Sequence, residues 1–140
     1  MNDCILCGLV SGELEASVAC EDDRTKVFMD IQPVVRGHML VVPRRRSPFL
    51  ADLDEEDGAQ LFRVGSRAAA ALRASRLPCD GVNFFLADGE AAGQEIFHVH
   101  LHVFPRVVGD GFSLRMPPDY VVRSRPELDD AAQLVRKGWV

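Results

Sequence analysis

Three of the chain's four histidines fall within five residues, His98-Val99-His100-Leu101-His102. Imidazole titrates near neutral pH, so such a cluster can act as nucleophile, proton donor or metal ligand. Side chains of a strand alternate between faces. Alternation therefore predicts that Phe97, Val99, Leu101 and Val103 face a core, while His98, His100 and His102 form a ladder on the other side, spaced by about 6.7 Å. Gln94 lies on the same alternation. Three readings of the ladder stand at this level: polar residues on a solvent face, a metal site, or nucleophilic catalysis with neighbouring imidazoles as proton donors or phosphate contacts. Cys4 and Cys7 stand i, i+3, on one face of a helix if one forms there, and can serve as metal ligands or as small hydrophobes.

These residues need elements to position them. Asn2 or Asp3 can cap a short helix from near Cys4 that stops at Gly12. Val18 to Glu21 and Lys26 to Ile31 read as strands around the turn Glu21-Asp22-Asp23-Arg24, and Met39 to Val42 as a third, closed by Pro43. From Asp54 to about Leu77 the period becomes helical: Leu61, Val64, Ala68, Ala71 and Leu72 share a stripe. Acidic Glu55, Glu56 and Asp57 open that helix and Arg73 and Arg76 close it, as its dipole favours. Gly81 to Leu86 is a fourth strand, and Ile96 to Phe104, ended by Pro105, is the fifth. Pro126 opens a last short helix through Lys137. The fold class expected is α+β: a five-stranded antiparallel sheet with one long and one short helix. Residues 1–112 form the domain, and residues 113–140 an extension packed on it or on a dimer partner.

Composition sets the outer limits. The chain has 140 residues, 47% hydrophobic and 26% charged, with net charge −5, which describes one globular domain with a sizeable core. No apolar run reaches the roughly 18 residues of a membrane span. The opening Met1-Asn2-Asp3 carries no positive charge before Cys4 to Val10, so no signal peptide is read and the expected compartment is the cytoplasm. In that setting Cys4, Cys7, Cys20 and Cys79 read as thiols or metal ligands rather than a disulfide framework. An acidic balance argues against a nucleic-acid surface, yet a few local donors can still bind one phosphate.

The stretch Ala92-Gly93-Gln94-Glu95-Ile96-Phe97-His98-Val99-His100-Leu101-His102-Val103-Phe104-Pro105-Arg106 resembles the signature of the histidine triad (HIT) superfamily, His-φ-His-φ-His-φ-φ with φ apolar. Phe28-Met29-Asp30-Ile31-Gln32-Pro33, Gly37-His38-Met39-Leu40-Val41-Val42-Pro43 and Cys4-Ile5-Leu6-Cys7 resemble other segments of that family, in order, over about residues 3 to 112. The resemblance implies a homodimer that binds a purine nucleotide and cleaves the bond between its α-phosphate and a leaving group. His100 would attack phosphorus, giving a nucleotidyl-histidine that water hydrolyses. His98 and His102 would contact the phosphate and hold the tautomer of His100, and His38 would support the site from a neighbouring strand. Gln94 would donate to a phosphoryl or leaving-group oxygen, Asp30 would accept from ribose hydroxyls, and Phe28 and Ile31 would wall the base pocket.

A Hint-like nucleoside 5′-phosphoramidase is the leading expectation, a Fhit-like dinucleoside polyphosphate hydrolase the alternative, and a nucleotide-binding regulator with vestigial catalysis the alternative of another class. Ala87 stands where relatives often carry asparagine. Relatives with the Cys-x-x-Cys start hold a structural zinc with the two cysteines, a triad-strand histidine and a histidine after Pro-Lys-x, where this chain reads Pro43-Arg44-Arg45-Arg46. Arginine has no lone pair to donate. No cofactor is therefore expected to be required; Cys4, Cys7 and His98 are the donors zinc would use, and the thiols are read as buried small hydrophobes. Arg106 is the cation expected nearest a phosphate.

Overall fold

The computed structural model describes residues 4–140. Its sheet has the spatial order β1 (Val18–Glu21), β2 (Thr25–Met29), β3 (Met39–Pro43), β5 (Leu101–Arg106), β4 (Gly81–Phe85), with every pair antiparallel. Helix α1 is Ile5–Ser11, α2 is Glu55–Ala74 and α3 is Arg125–Gly138. The expected α+β class and five-stranded sheet are present.

Each face of the sheet has its own core. On one side Val27, Met39, Val41, Val99, Leu101 and Val103 meet Leu61, Val64, Ala68 and Leu72 of α2. The helical stripe differs from expectation at one position, since Ala71 is exposed and Ala69 buried. A Cβ on Gly65 would stand 2.9 Å from a Leu101 methyl, so this glycine lets α2 lie directly on β5. On the other face Phe28, Leu40 and Val42 pack with Cys4, Leu6 and Val10 around α1. Buried Lys26 donates to the carbonyls of Leu9 and Val10, placing a cation against the carbonyl end of α1.

Local chemistry sets the element ends. Cys4 is the N-cap of α1, its Sγ accepting from Cys7 N; Asn2 and Asp3, the expected caps, lie outside the described residues. Asp54 caps α2 through Glu56 N. That helix stops at Ala74, three residues before the expected end, where Ser75 donates from both N–H and Oγ to Leu72 O. Asp22 accepts from the Arg24 and Thr25 amides, which closes the β1–β2 turn and starts β2 at Thr25. Ser124 caps α3, whose Leu128, Leu134, Val135 and the following Trp139 are all exposed.

The largest departure is at β5, expected over residues 96–104 and found at Leu101–Arg106. Strand β3 pairs with β5 only as far as Val41 opposite Leu101. Beyond that point Val99 N donates to Ser47 O, so the chain leaves the ladder. At the other end Pro105 is inside the strand, opposite Val82. Arg106 O accepts from Asp80 N on the β4 side, so Pro105 turns its missing donor toward the side where β3 has already ended at Met39.

Gly37 holds φ +102°, and a Cβ there would come within 3.1 Å of Leu77 and Pro105. A left-handed backbone in a tight space predicts that Gly37→Ala destabilises the fold by about 1–3 kcal/mol, measured by urea unfolding.

Candidate active site

The face of the sheet away from α2 is shared. Helix α1 covers the end near Val42, and beyond it His38, His102 and Phe104 occupy the same side. Cross-strand register sets His102 between Leu40 on β3 and Phe85 on β4. The His102 ring lies 4.9 Å from that of His100, 5.0 Å from His38 and 5.8 Å from Phe85, and His38 also packs 5.1 Å from Phe104.

Hydrogen bonds assign the protons. Val34 N–H donates to His38 Nδ1 at 3.1 Å, so His38 carries its proton on Nε2. That proton is donated to His102 Nδ1, 2.8 Å away, which leaves His102 protonated on Nε2. His100 Nδ1 donates to the His98 carbonyl at 2.7 Å, so His100 keeps its lone pair on Nε2. One backbone amide and one backbone carbonyl thus fix three imidazoles. Burial holds the pKa of His102 down at about 4, with His100 and His38 adding repulsion and Asp30 opposing. His38 is likewise lowered by burial against the pull of Asp30. Both are neutral at pH 7.

Five sequence expectations change here. His98 takes the face that alternation gives it, but at its covered end: residues 98–100 precede β5, and the His98 ring is fully buried on the α1 side. Its Nε2 donates to Pro43 O at 2.7 Å, and its Nδ1 lies 3.5 and 3.4 Å from Cys4 and Cys7 Sγ. Only its carbonyl reaches the site. Gln94 is 3% exposed, and its amide is spent on the protein. Oε1 accepts from Gly89 N, and Nε2 donates to the carbonyls of Pro48 and Ile96. Gln94→Leu would leave those groups unpaired in a buried place, costing about 2–4 kcal/mol of stability in urea unfolding. A direct leaving-group role would instead lower kcat with stability unchanged.

Phe28 is 1% exposed in the core under α1, so it cannot touch a base. Arg106 binds Asp110, Asn83 and the carbonyl of Phe112, and stacks on the Phe112 ring. It clamps the chain after β5. Phe97, assigned to the core by alternation, is a surface residue against Phe49.

Two expected residues keep an open position. Asp30 is half-buried, with Oδ1 accepting from Gln32 N and Oδ2 3.7 Å from His38 Nε2. Ile31 is 91% exposed beside it. Sequence reading missed Val34, Pro43 and Ser47, which act through backbone groups and leave no side-chain signal.

Cys4, Cys7 and His98 form a second cluster, their ligand atoms all within 4.8 Å of one another. Two thiols and an imidazole nitrogen fit a borderline-soft divalent cation. Asp30, His38 and His102 also converge within 4.8 Å, but the two rings there already satisfy each other.

The model of the HIT domain matches residues 11–108. The chain belongs to the HIT family. An uncharacterised HIT-like protein of Mycobacterium tuberculosis is 40% identical over 122 residues, covering 83% of this chain and 84% of its own. Among solved structures, a HIT family protein of Bacillus subtilis aligns over 99% of both chains with TM-score 0.89 at 28% identity. A zinc-bound histidine triad family protein of Mycobacterium smegmatis aligns over 98% of both chains with TM-score 0.77 at 39% identity. The HIT fold and the triad reading of residues 98–102 therefore agree, and no helix among the described residues is long and apolar enough to cross a membrane.

Proposed function

We propose that this HIT protein is a purine nucleotide hydrolase or transferase acting at the α-phosphate through a nucleotidyl intermediate on His100, with nucleoside 5′-phosphoramidates as substrates. The observation that carries this reading is the 2.7 Å bond from His100 Nδ1 to the His98 carbonyl. It holds the ring with a free Nε2 lone pair, the state a nucleophile needs. Attack by Nε2 forms a P–N bond to the α-phosphorus and breaks the bond to the leaving amine, whose nitrogen takes a proton from solvent. Water then attacks phosphorus, releases His100 and yields the nucleoside monophosphate.

His102 offers its Nε2–H to the phosphoryl oxygens while staying neutral. Asp30 retains acceptor capacity for ribose hydroxyls, and exposed Ile31 supplies apolar surface for the base. A homodimer belongs to this reading, supported by the family and by the exposed apolar side chains of α3 and Trp139.

The test is a panel of adenosine and guanosine 5′-phosphoramidates and diadenosine polyphosphates, with mass spectrometry of the acid-quenched protein. At least tenfold higher kcat/KM on phosphoramidates, with a nucleotidyl adduct on wild type and none on His100→Ala, is the expected result. Faster polyphosphate cleavage would move the protein to the alternative hydrolase class. AMP binding without turnover of any substrate would make it a nucleotide-binding regulator.

A further inference from the structure

Four of the five N–H groups of Arg106 donate to the chain around it. Nε and Nη2 form a fork on Asp110 Oδ2 and Oδ1 at 2.7 and 2.9 Å, Nη1 donates to Asn83 Oδ1 at 2.7 Å, and Nη2 also donates to the carbonyl of Phe112. Asp110 in turn accepts from the amides of Val107 and Phe112 at 3.2 and 3.1 Å. Residues 106–112 are thus tied into one closed turn, with the guanidinium 4.9 Å from the centre of the Phe112 ring. A forked arginine–carboxylate pair fixes geometry as well as charge. Ending a strand needs no such fixation, and what this clamp fixes is a ring.

The Phe112 ring meets Phe104 edge-on, 5.6 Å away at 86°. Phe104 is buried and packs 5.1 Å from His38, His38 packs 5.0 Å from His102, and His102 packs 4.9 Å from His100. Five rings therefore run unbroken from the clamp to the nucleophile. His38 has one hydrogen bond at each ring nitrogen, with Val34 N–H and with His102 Nδ1. Both lie along the imidazole plane and leave the ring's tilt about the line joining them unset. Contacts on the faces of the ring must set it, and Phe104 supplies one. A packed ring holds its neighbour only while it is itself backed. Phe112, which belongs to no strand, supplies that backing.

We propose that Arg106, Asp110 and Phe112 are positioning residues of the cleavage site, holding Phe104 against His38 so that His38 keeps its Nε2–H on His102. The inference rests on the reading of His100 as nucleophile and His102 as phosphoryl donor. His102 offers Nε2–H to phosphate only while its Nδ1 accepts from His38. A tilted His38 loses that bond, leaves His102 free to turn, and moves a donor that works through its placement. None of the three clamp residues acts on the nucleotide directly, so turnover depends on them and nucleotide affinity does not.

The test compares Phe112→Ala, Phe112→Tyr, Arg106→Met and the double variant of Phe112→Ala with Arg106→Met by steady-state kinetics on adenosine 5′-phosphoramidate and by AMP titration. Proton NMR follows the His38 Nε2–H, assigned by its absence from His38→Ala. Phe112→Ala should lower kcat about 10- to 100-fold, keep AMP affinity within about twofold of wild type, and lose the His38 proton resonance to exchange. Phe112→Tyr, which keeps the ring, should restore both kcat and the resonance. Arg106→Met should resemble Phe112→Ala, and the double variant should lose no more than the worse single variant, because both act through one contact. Wild-type kcat in Phe112→Ala, losses of kcat and AMP affinity that are equal, additive losses in the double variant, or an unchanged His38 resonance would each overturn the inference. If wild type cleaves no phosphoramidate, the reading of His100 fails instead, and the resonance decides whether the clamp holds His38.

Discussion

Replacing His100 with alanine is expected to lower kcat/KM for adenosine 5′-phosphoramidate by about 10⁴-fold, the scale at which removal of a single catalytic nucleophile usually registers. That corresponds to about 5.5 kcal/mol of transition-state stabilisation. The fold should not share the loss. The His100 ring is part-buried, and its one hydrogen bond goes to the carbonyl of His98, whose side chain is anchored separately on Pro43. Stability in urea is therefore expected to fall by no more than about 1 kcal/mol, and AMP affinity to stay within tenfold. Steady-state kinetics, AMP titration and urea unfolding on one preparation make the comparison. A variant retaining more than a tenth of wild-type kcat/KM would show that phosphorus is attacked by another group.

The periodic parts of this fold were legible because hydrophobic side chains repeat. The α2 stripe through Leu61, Val64, Ala68 and Leu72 and the strands at 18–21, 39–43 and 81–85 follow from pattern and punctuation. Alternation also placed Val99, Leu101 and Val103 in the core. It failed from Gln94 to Phe97, since a period of two holds only while the ladder continues, and Val99 N leaves it for Ser47 O. The consequence falls on roles: His98 turns inward to Cys4 and Cys7, and Gln94 fastens the loop 89–96 to Pro48.

Arg106 illustrates a different limit. A cation after the triad looks like a phosphate contact until Asp110, Asn83 and the Phe112 carbonyl are found around it. Those partners lie 4, 23 and 6 residues away, and nothing in local spacing joins them. The proton assignment of the site was equally hidden, because it rests on the Val34 amide and the His98 carbonyl, groups every residue carries.

That assignment sets how the protein meets acid. His102 has its pKa lowered from 6.5 to about 4, first by burial and then by the neighbouring His100 and His38; His38 is lowered as well, again chiefly by burial. In the unfolded chain both take up a proton near pH 6.5, while folded His102 resists until about pH 4. Across that window the unfolded state binds more protons, so stability present at pH 7 is lost as the pH falls. Each site contributes at most about 1.4 kcal/mol per pH unit, and partial solvent access at His102 reduces its whole share to about 1–3 kcal/mol.

Asp22, lowered to about 2 by the Arg24 and Thr25 amides and the Thr25 and Gln60 side chains against burial, loses its contribution only below its ordinary value of 3.8. It therefore stays outside the histidine window. Urea unfolding between pH 7 and pH 4.5 should show wild type losing about 1–3 kcal/mol more than His102→Asn. In that variant the asparagine oxygen can still accept from His38 Nε2 but takes up no proton. Parallel stability curves for the two proteins would mean that folded His102 takes up its proton as readily as the unfolded residue, and its bond with His38 would then have to run from His102 to His38.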